Sequence, residues 1–252
     1  MRKPLVAGNW KLYGSILKVR QLIQSIKSKT VNLTIEIIIC PPTIFIPQVA
    51  KLVEGTSLLL GGQNCYVAEQ GAFTGEVSPY MLREFGCEYV IVGHSERRLL
   101  FGENNQLIMK KFVAACDAGL KPILCIGETN EDREREKTLQ VLETQLAPII
   151  ARVGVRAFRQ AVIAYEPVWA IATGLSATSE QAQVVHMHIR SLLAKADPSV
   201  AAQVRILYGG SIKPENATKL FNKPDIDGGL IGAASLNAGD FAVICQQALL
   251  PV

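Results

Sequence analysis

Apolar residues along this chain gather into short, unbroken runs at nearly even spacing: 5–10, 35–40, 58–64, 89–93, 123–127, 161–166, 204–210 and 228–232. Each run has the length of a strand, and none alternates apolar with polar. That pattern fits strands buried on both faces, as in a parallel sheet covered by helices. Between the runs the period changes. Ile16, Val19, Ile23 and Ile26 after the first run, and Val185, Ile189 and Leu192 after the sixth, fall at helical spacing. Thr178 and Gln181 can open that sixth helix with a capping box. The charged run 131–137 reads as the solvated start of the fifth helix, with acids leading and Glu131 spaced to meet Arg135. Strand followed by helix, eight times in about 250 residues, predicts an α/β chain closed into a single (β/α)8 barrel covering residues 1–252. An open doubly wound sheet is the alternative, but it generally uses fewer strands over this length, and no GxGxxG follows the first run.

The polar residues that interrupt this pattern sit where the runs end. In a parallel barrel the C-terminal ends of all strands open on one face, and the loops there build the site. The first run ends at Asn9, Trp10 and Lys11, the third at Gln63 and Asn64, the fourth leads into GHSERR (93–98), and the sixth closes on Glu166. Pro167 disfavours helix at Glu166 and brings no amide proton, so the strand stops there with the carboxylate at its lip. A carboxylate, an imidazole and an ammonium on one rim supply a base, an electrophile and a fixed positive charge, the parts of a proton-transfer site. The segment 167–174 is short, uncharged and mostly apolar. It reads either as a lid that folds over Glu166 and excludes water, or as a packed connection after an edge glutamate. After the last two runs, YGGSI (208–212) and GAASL (232–236) put small residues where bare amides can approach an anion, which points to phosphate.

Composition narrows the partners. Of the 252 residues, 49% are hydrophobic, and the formal net charge of +4 is too small and too scattered to argue for nucleic acid or an anionic membrane, though it favours a small anionic substrate. The start of the chain fits neither a signal peptide nor a membrane span, so a soluble, cytoplasmic protein is expected. The six cysteines contain no CxxC pair and lie largely in apolar runs, which predicts buried, reduced thiols. His186 and His188, two apart on a helix, cannot share a face as metal ligands do.

Taken together, the blocks AGNWK (7–11), GQNCY (62–66), GAFTGE (71–76), GHSERR (93–98), CIGE (125–128), AYEPVWAI (164–171), YGGS (208–211) and LIGAASL (230–236) closely resemble the triosephosphate isomerase family from end to end. The resemblance implies a TIM barrel that interconverts dihydroxyacetone phosphate and glyceraldehyde 3-phosphate, a step of glycolysis and gluconeogenesis, without a cofactor. It implies Glu166 as the base, His94 as the electrophile kept neutral by a helix beginning at Ser95, and Lys11 and Asn9 as stabilisers of negative charge; this family is itself the usual illustration of that arrangement. It further implies backbone amides at Ala172, Ser211, Gly232 and Ala233 holding the phosphate, with support from Glu96 and from Tyr208, the latter for the closed lid. Thr74, in the 71–76 stretch, would reach into the partner of a homodimer. The chain departs from the family's usual glycines at Ala172 and Ala233; alanine keeps the amide proton, so donation survives if the backbone angles there suit an L-residue, and retained activity with altered lid opening or phosphate affinity is expected. Tyr13 and Leu175 replace residues that are commonly polar or basic. Two other readings stay open on the same scaffold: another phosphosugar isomerase or a Schiff-base aldolase using Lys11 covalently, and a barrel that binds without catalysis.

Overall fold

The computed structural model describes residues 2–170 and 177–249. Eight parallel strands, β1 (Leu5–Asn9), β2 (Glu36–Cys40), β3 (Leu58–Gly62), β4 (Cys87–Val92), β5 (Lys121–Ile126), β6 (Val162–Tyr165), β7 (Arg205–Tyr208) and β8 (Gly228–Ile231), close in chain order into a barrel, β8 pairing back onto β1. The predicted (β/α)8 architecture is therefore present. Strand limits lie within two residues of the ends of the apolar runs: β4 and β5 begin two residues earlier, and small or polar residues that end a run mostly belong to the loops.

The helices are α1 (Ile16–Thr30), α2 (Ile46–Val53), α3 (Pro79–Glu84), α4 (Ser95–Leu100), α5 (Asn105–Asp117), α6 (Asn130–Glu134), α7 (Thr138–Val153), α8 (Ser179–Ala196), α9 (Pro198–Gln203), α10 (Pro214–Phe221) and α11 (Ala238–Gln247). The continuous apolar runs separate into two packed sets. Leu5, Ala7, Ile38, Cys40, Tyr89, Ile91, Ile123, Cys125, Ala164 and Leu207 pack with one another inside the barrel. Their sequence neighbours Val6, Ile37, Ile39, Val90, Leu124, Ile163 and Ile206 face the helices, where Ile23, Phe112, Leu146 and Ile189 meet them. Both faces of each strand are dry, hence the missing alternation.

Val19, Ile23 and Ile26 are buried on α1 as the spacing predicts, whereas Ile16 is exposed at its first turn. On α8, Val185 and Ile189 are buried and Leu192 half-buried, and the capping box forms in both directions. The acidic run is not the start of the long fifth helix. It forms the separate turn α6, closed by the Thr129–Asp132 box, and the chain then passes through Glu136 at φ +56° before α7 begins. The anticipated Glu131–Arg135 pair is made, at 2.7 Å. All six cysteines are free thiols, five of them buried, and burial pushes Cys65 and Cys87 up to about 12. No helix among the described residues is long and apolar enough to cross a membrane.

Candidate active site

Three strand ends converge at the C-terminal mouth. Just beyond β6, Glu166 keeps one ladder bond, its N–H donating to the Ile126 carbonyl at 2.8 Å, and its carboxylate is 2% exposed. One oxygen lies 2.9 Å from His94 Nε2, and the other accepts the Ser95 amide at 2.8 Å. His94 is the N-cap of α4, and the Glu96 N–H donates to its Nδ1 at 3.2 Å. The first two amides of this short helix thus hold both partners. With Nδ1 engaged as an acceptor, the neutral ring carries its proton on Nε2, facing Glu166.

Electrostatics tie the pair together. Burial, the largest influence on Glu166, would raise its proton affinity, but His94, the Ser95 amide and Lys11 hold the carboxyl below its ordinary range. Burial pulls the His94 imidazole down, and the carboxylates of Glu166 and Glu96 push it up by more, so in this ligand-free arrangement it sits above its ordinary value. That upward push depends on the Glu166 contact and weakens once a substrate separates the two groups.

Lys11 enters from β1 with a left-handed backbone, φ +50°, one of two non-glycine residues so placed among those described. Three contacts hold it there. Asn9 Oδ1 accepts its N–H at 3.0 Å, Gln63 Nε2 donates to its carbonyl at 2.8 Å, and its Nζ meets Glu96 Oε1 at 2.5 Å. A strained residue fixed from three sides at a cleft is typical of functional sites. The sequence placed Gln63 at the rim but did not show this use, because nothing local marks Lys11 for positive φ.

Close backbone approach explains two glycines beside Glu166. A Cβ on Gly209 would lie 2.9 Å from Glu166 Cγ, and one on Gly127 would lie 1.7 Å from the Glu166 carbonyl oxygen. Beneath them, buried Glu128 accepts the Tyr165 hydroxyl at 3.0 Å and the Trp169 indole N–H at 2.9 Å, and Arg133 stacks on the Trp169 ring at 3.6 Å.

Asn9, Lys11, His94 and Glu166 line a cavity of about 490 Å³ together with Ser211, Gly232 and Ala233. Ala233 begins the short 3₁₀ turn Ala233–Leu236 and is not at positive φ, so its methyl group brings no backbone strain. Tyr208 is buried under the Gly209–Gly210 turn, where a Cβ on Gly210 would meet its hydroxyl at 2.3 Å, and burial pushes it up to about 12. Lys213, unremarked in the sequence, also lines the cavity. Ala172 and Leu175, and the second half of the 167–174 segment, lie outside the described residues. Thr74 is exposed in the loop between β3 and α3, and Tyr13 is exposed beyond Lys11. Among the described residues no group of three His, Cys, Asp or Glu side chains is arranged to hold a metal ion.

Fold and mouth together define the class: a (β/α)8-barrel enzyme with acid–base groups at the C-terminal face. The triosephosphate isomerase family model matches residues 4–248. Proteins named triosephosphate isomerase from Methylococcus capsulatus and Pseudomonas putida are each 53% identical to the chain, over 98% of it and 99% of their own lengths. One from Dechloromonas aromatica is 51% identical over 98% of this chain and all of its own. The chain belongs to the triosephosphate isomerase family.

Proposed function

We propose that the chain is an aldose–ketose isomerase that interconverts dihydroxyacetone phosphate and D-glyceraldehyde 3-phosphate, working as a single-domain cytoplasmic enzyme in glycolysis and gluconeogenesis. The observation that carries this reading is the 2.9 Å contact between His94 Nε2 and Glu166 Oε1 in a cavity that also holds Lys11. Two groups this close can address adjoining carbons and oxygens of one small molecule, as a 1,2 proton shift requires.

Glu166, held ionised, removes the proton from the carbon beside the carbonyl, and the electron pair moves onto the carbonyl oxygen to form the enediolate. His94 gives its Nε2 proton to the former carbonyl oxygen and takes up the hydroxyl proton of the adjoining oxygen, so that this proton passes from one oxygen to the other and the ring ends neutral. With substrate between it and Glu166, burial and the Glu96 amide at Nδ1 favour the neutral ring, which donates without carrying charge. Lys11 stabilises the developing negative charge in a site with little water, and Asn9 holds the lysine backbone in place. Glu166 then returns its proton to the neighbouring carbon. Nothing is oxidised or reduced overall, so proton transfers suffice without a cofactor. Amides at Ser211, Gly232 and Ala233, with Ala172 from the lid, bind the phosphate, and Tyr208 supports the closed lid.

The pairing of Lys11 Nζ with Glu96 at 2.5 Å disfavours the Schiff-base alternative, because an ion-paired ammonium has no free lone pair for attack. In a coupled assay, Glu166→Gln is expected to lower turnover by about 10²- to 10⁴-fold, the usual worth of a general base. Near-normal turnover would remove Glu166 from the role.

A homodimer completes the proposal. Leu12 is 94% exposed beside Lys11, and Ile16, Leu17, Ile44, Phe85 and Phe101 are exposed as well, large apolar side chains that a second copy would cover. Thr74, exposed in its loop, is the residue expected to reach the partner's Lys11 and His94.

A further inference from the structure

We propose that Gln145, on the outer helix α7, is a positioning residue for the catalytic base. The argument begins with the neighbour that β5 loses. Along β5 the carbonyls of Ile126 and Glu128 face β6, accepting from the amides of Glu166 and Val168 at 2.8 and 3.1 Å. By the alternation of a strand, the peptide groups of Cys125 and Gly127 face β4. The β4–β5 pairing ends at Val92–Leu124, because β4 turns away into the His94 N-cap and α4. The turn that brings His94 and the Ser95 amide onto Glu166 therefore leaves the Cys125 carbonyl and both polar groups of Gly127 without a strand neighbour.

Side chains take its place. Arg98 Nη2 donates to the Cys125 carbonyl at 3.0 Å, while its Nε binds the Gly93 carbonyl at 2.9 Å. Half-buried Gln145 serves Gly127 in both directions. Its Oε1 accepts the Gly127 N–H at 2.8 Å, and its Nε2 donates to the Gly127 carbonyl at 2.9 Å. A primary amide is the side chain that matches a peptide unit donor for acceptor, so Gln145 acts as one residue of the missing strand.

Gly127 is the point of closest backbone contact with the base, since a Cβ there would stand 1.7 Å from the Glu166 carbonyl oxygen. Any shift of the Gly127 peptide plane is passed directly to the Glu166 backbone and from there to the 2.8 and 2.9 Å contacts of its carboxylate. Gln145 touches neither substrate nor carboxylate. It holds the floor on which the carboxylate is aimed.

The inference rests on the reading of Glu166 as base, and the test separates the two. Gln145→Met keeps the side-chain length and removes both hydrogen bonds; Gln145→Glu keeps the acceptor for the Gly127 N–H and loses the donor. Thr144→Ala, on the exposed side of the same helix turn, controls for general disturbance of α7. Glu166→Gln is measured in parallel. The expected result for Gln145→Met is a fall in kcat of about 10- to 100-fold, the scale of a small misplacement of a catalytic group. KM should change less than threefold (roughly), because the phosphate loops follow β7 and β8 and are untouched. The acid limb of kcat/KM should move to higher pH as the carboxylate loosens from His94 and Ser95. Gln145→Glu should fall in between, and decides the matter if Gln145→Met does not fold. Native kcat per folded molecule in a foldable Gln145 variant, however reduced its melting temperature, overturns the inference, as does an equal loss in Thr144→Ala. If Glu166→Gln retains turnover, the base assignment fails instead.

Discussion

Glu166 shows how far single residues can be read. A carboxylate at the end of an apolar run before Pro167 was visible as an anomaly, and it stands at the mouth with His94 and Lys11. What holds it was not visible, because the Ser95 amide comes from α4 and the Gly127 peptide from the loop after β5, both distant in the chain. His186 is the opposite case, a histidine without any motif that is wholly buried, its Nδ1 3.1 Å from the Asp225 carbonyl. Burial lowers it to about 4. The folded state thus binds this proton more weakly than the unfolded chain does. Its contribution to stability is full above the unfolded value near 6.5, and is lost as pH falls from there to about 4, at most about 3 kcal/mol. Urea unfolding at pH 7 and pH 5 should show His186→Gln losing less stability on acidification than the parent. An identical loss in both would exclude His186 as the group responsible. The lowered carboxyls of Glu36 and Glu166 add acid sensitivity only below their ordinary range.

At the level of elements, the signals with a local cause were readable. All eight strands and the start of α8 follow from apolar runs and one capping box, whose Thr178 Oγ1 accepts the Gln181 amide at 3.1 Å. Thr178→Ala should cost about 1 kcal/mol, the usual worth of an N-cap, seen as a lower midpoint in thermal unfolding with the chemistry intact. An unchanged midpoint would mean that α8 is held by packing alone. The division between α6 and α7 was not readable, since six of the seven residues of the charged run are good helix formers and no glycine or proline interrupts it. The break comes from the Lys137 amide bonding back to the Asp132 carbonyl at 2.8 Å, with Glu136 turned left-handed. A turn of that kind is chosen by where α7 must lie against β5.

For the molecule as a whole, the proposed homodimer would cover the exposed Leu12, Ile16 and Leu17 and the exposed 71–76 loop. Light scattering on a gel-filtration column should give twice the 27.4 kDa of the chain. Leu17→Asp, a charge on α1 away from the reacting groups, should lower that mass and reduce turnover together. A fully active monomer would contradict the dimer and with it the role given to Thr74.

Periodicity and strand-end residues were enough to establish a barrel, its order, and which side chains crowd its open end, because in a parallel barrel those properties repeat with the chain and need no knowledge of long-range contacts. Folding in three dimensions settled the rest: the positive φ of Lys11, the unstrained backbone of Ala233, and the use of Gln63, Arg98 and Gln145 as stand-ins for absent backbone partners. The roles of Arg98 and Gln145 depend on which peptide groups are left unpaired when β4 turns away, and such a vacancy exists only once the strands are side by side.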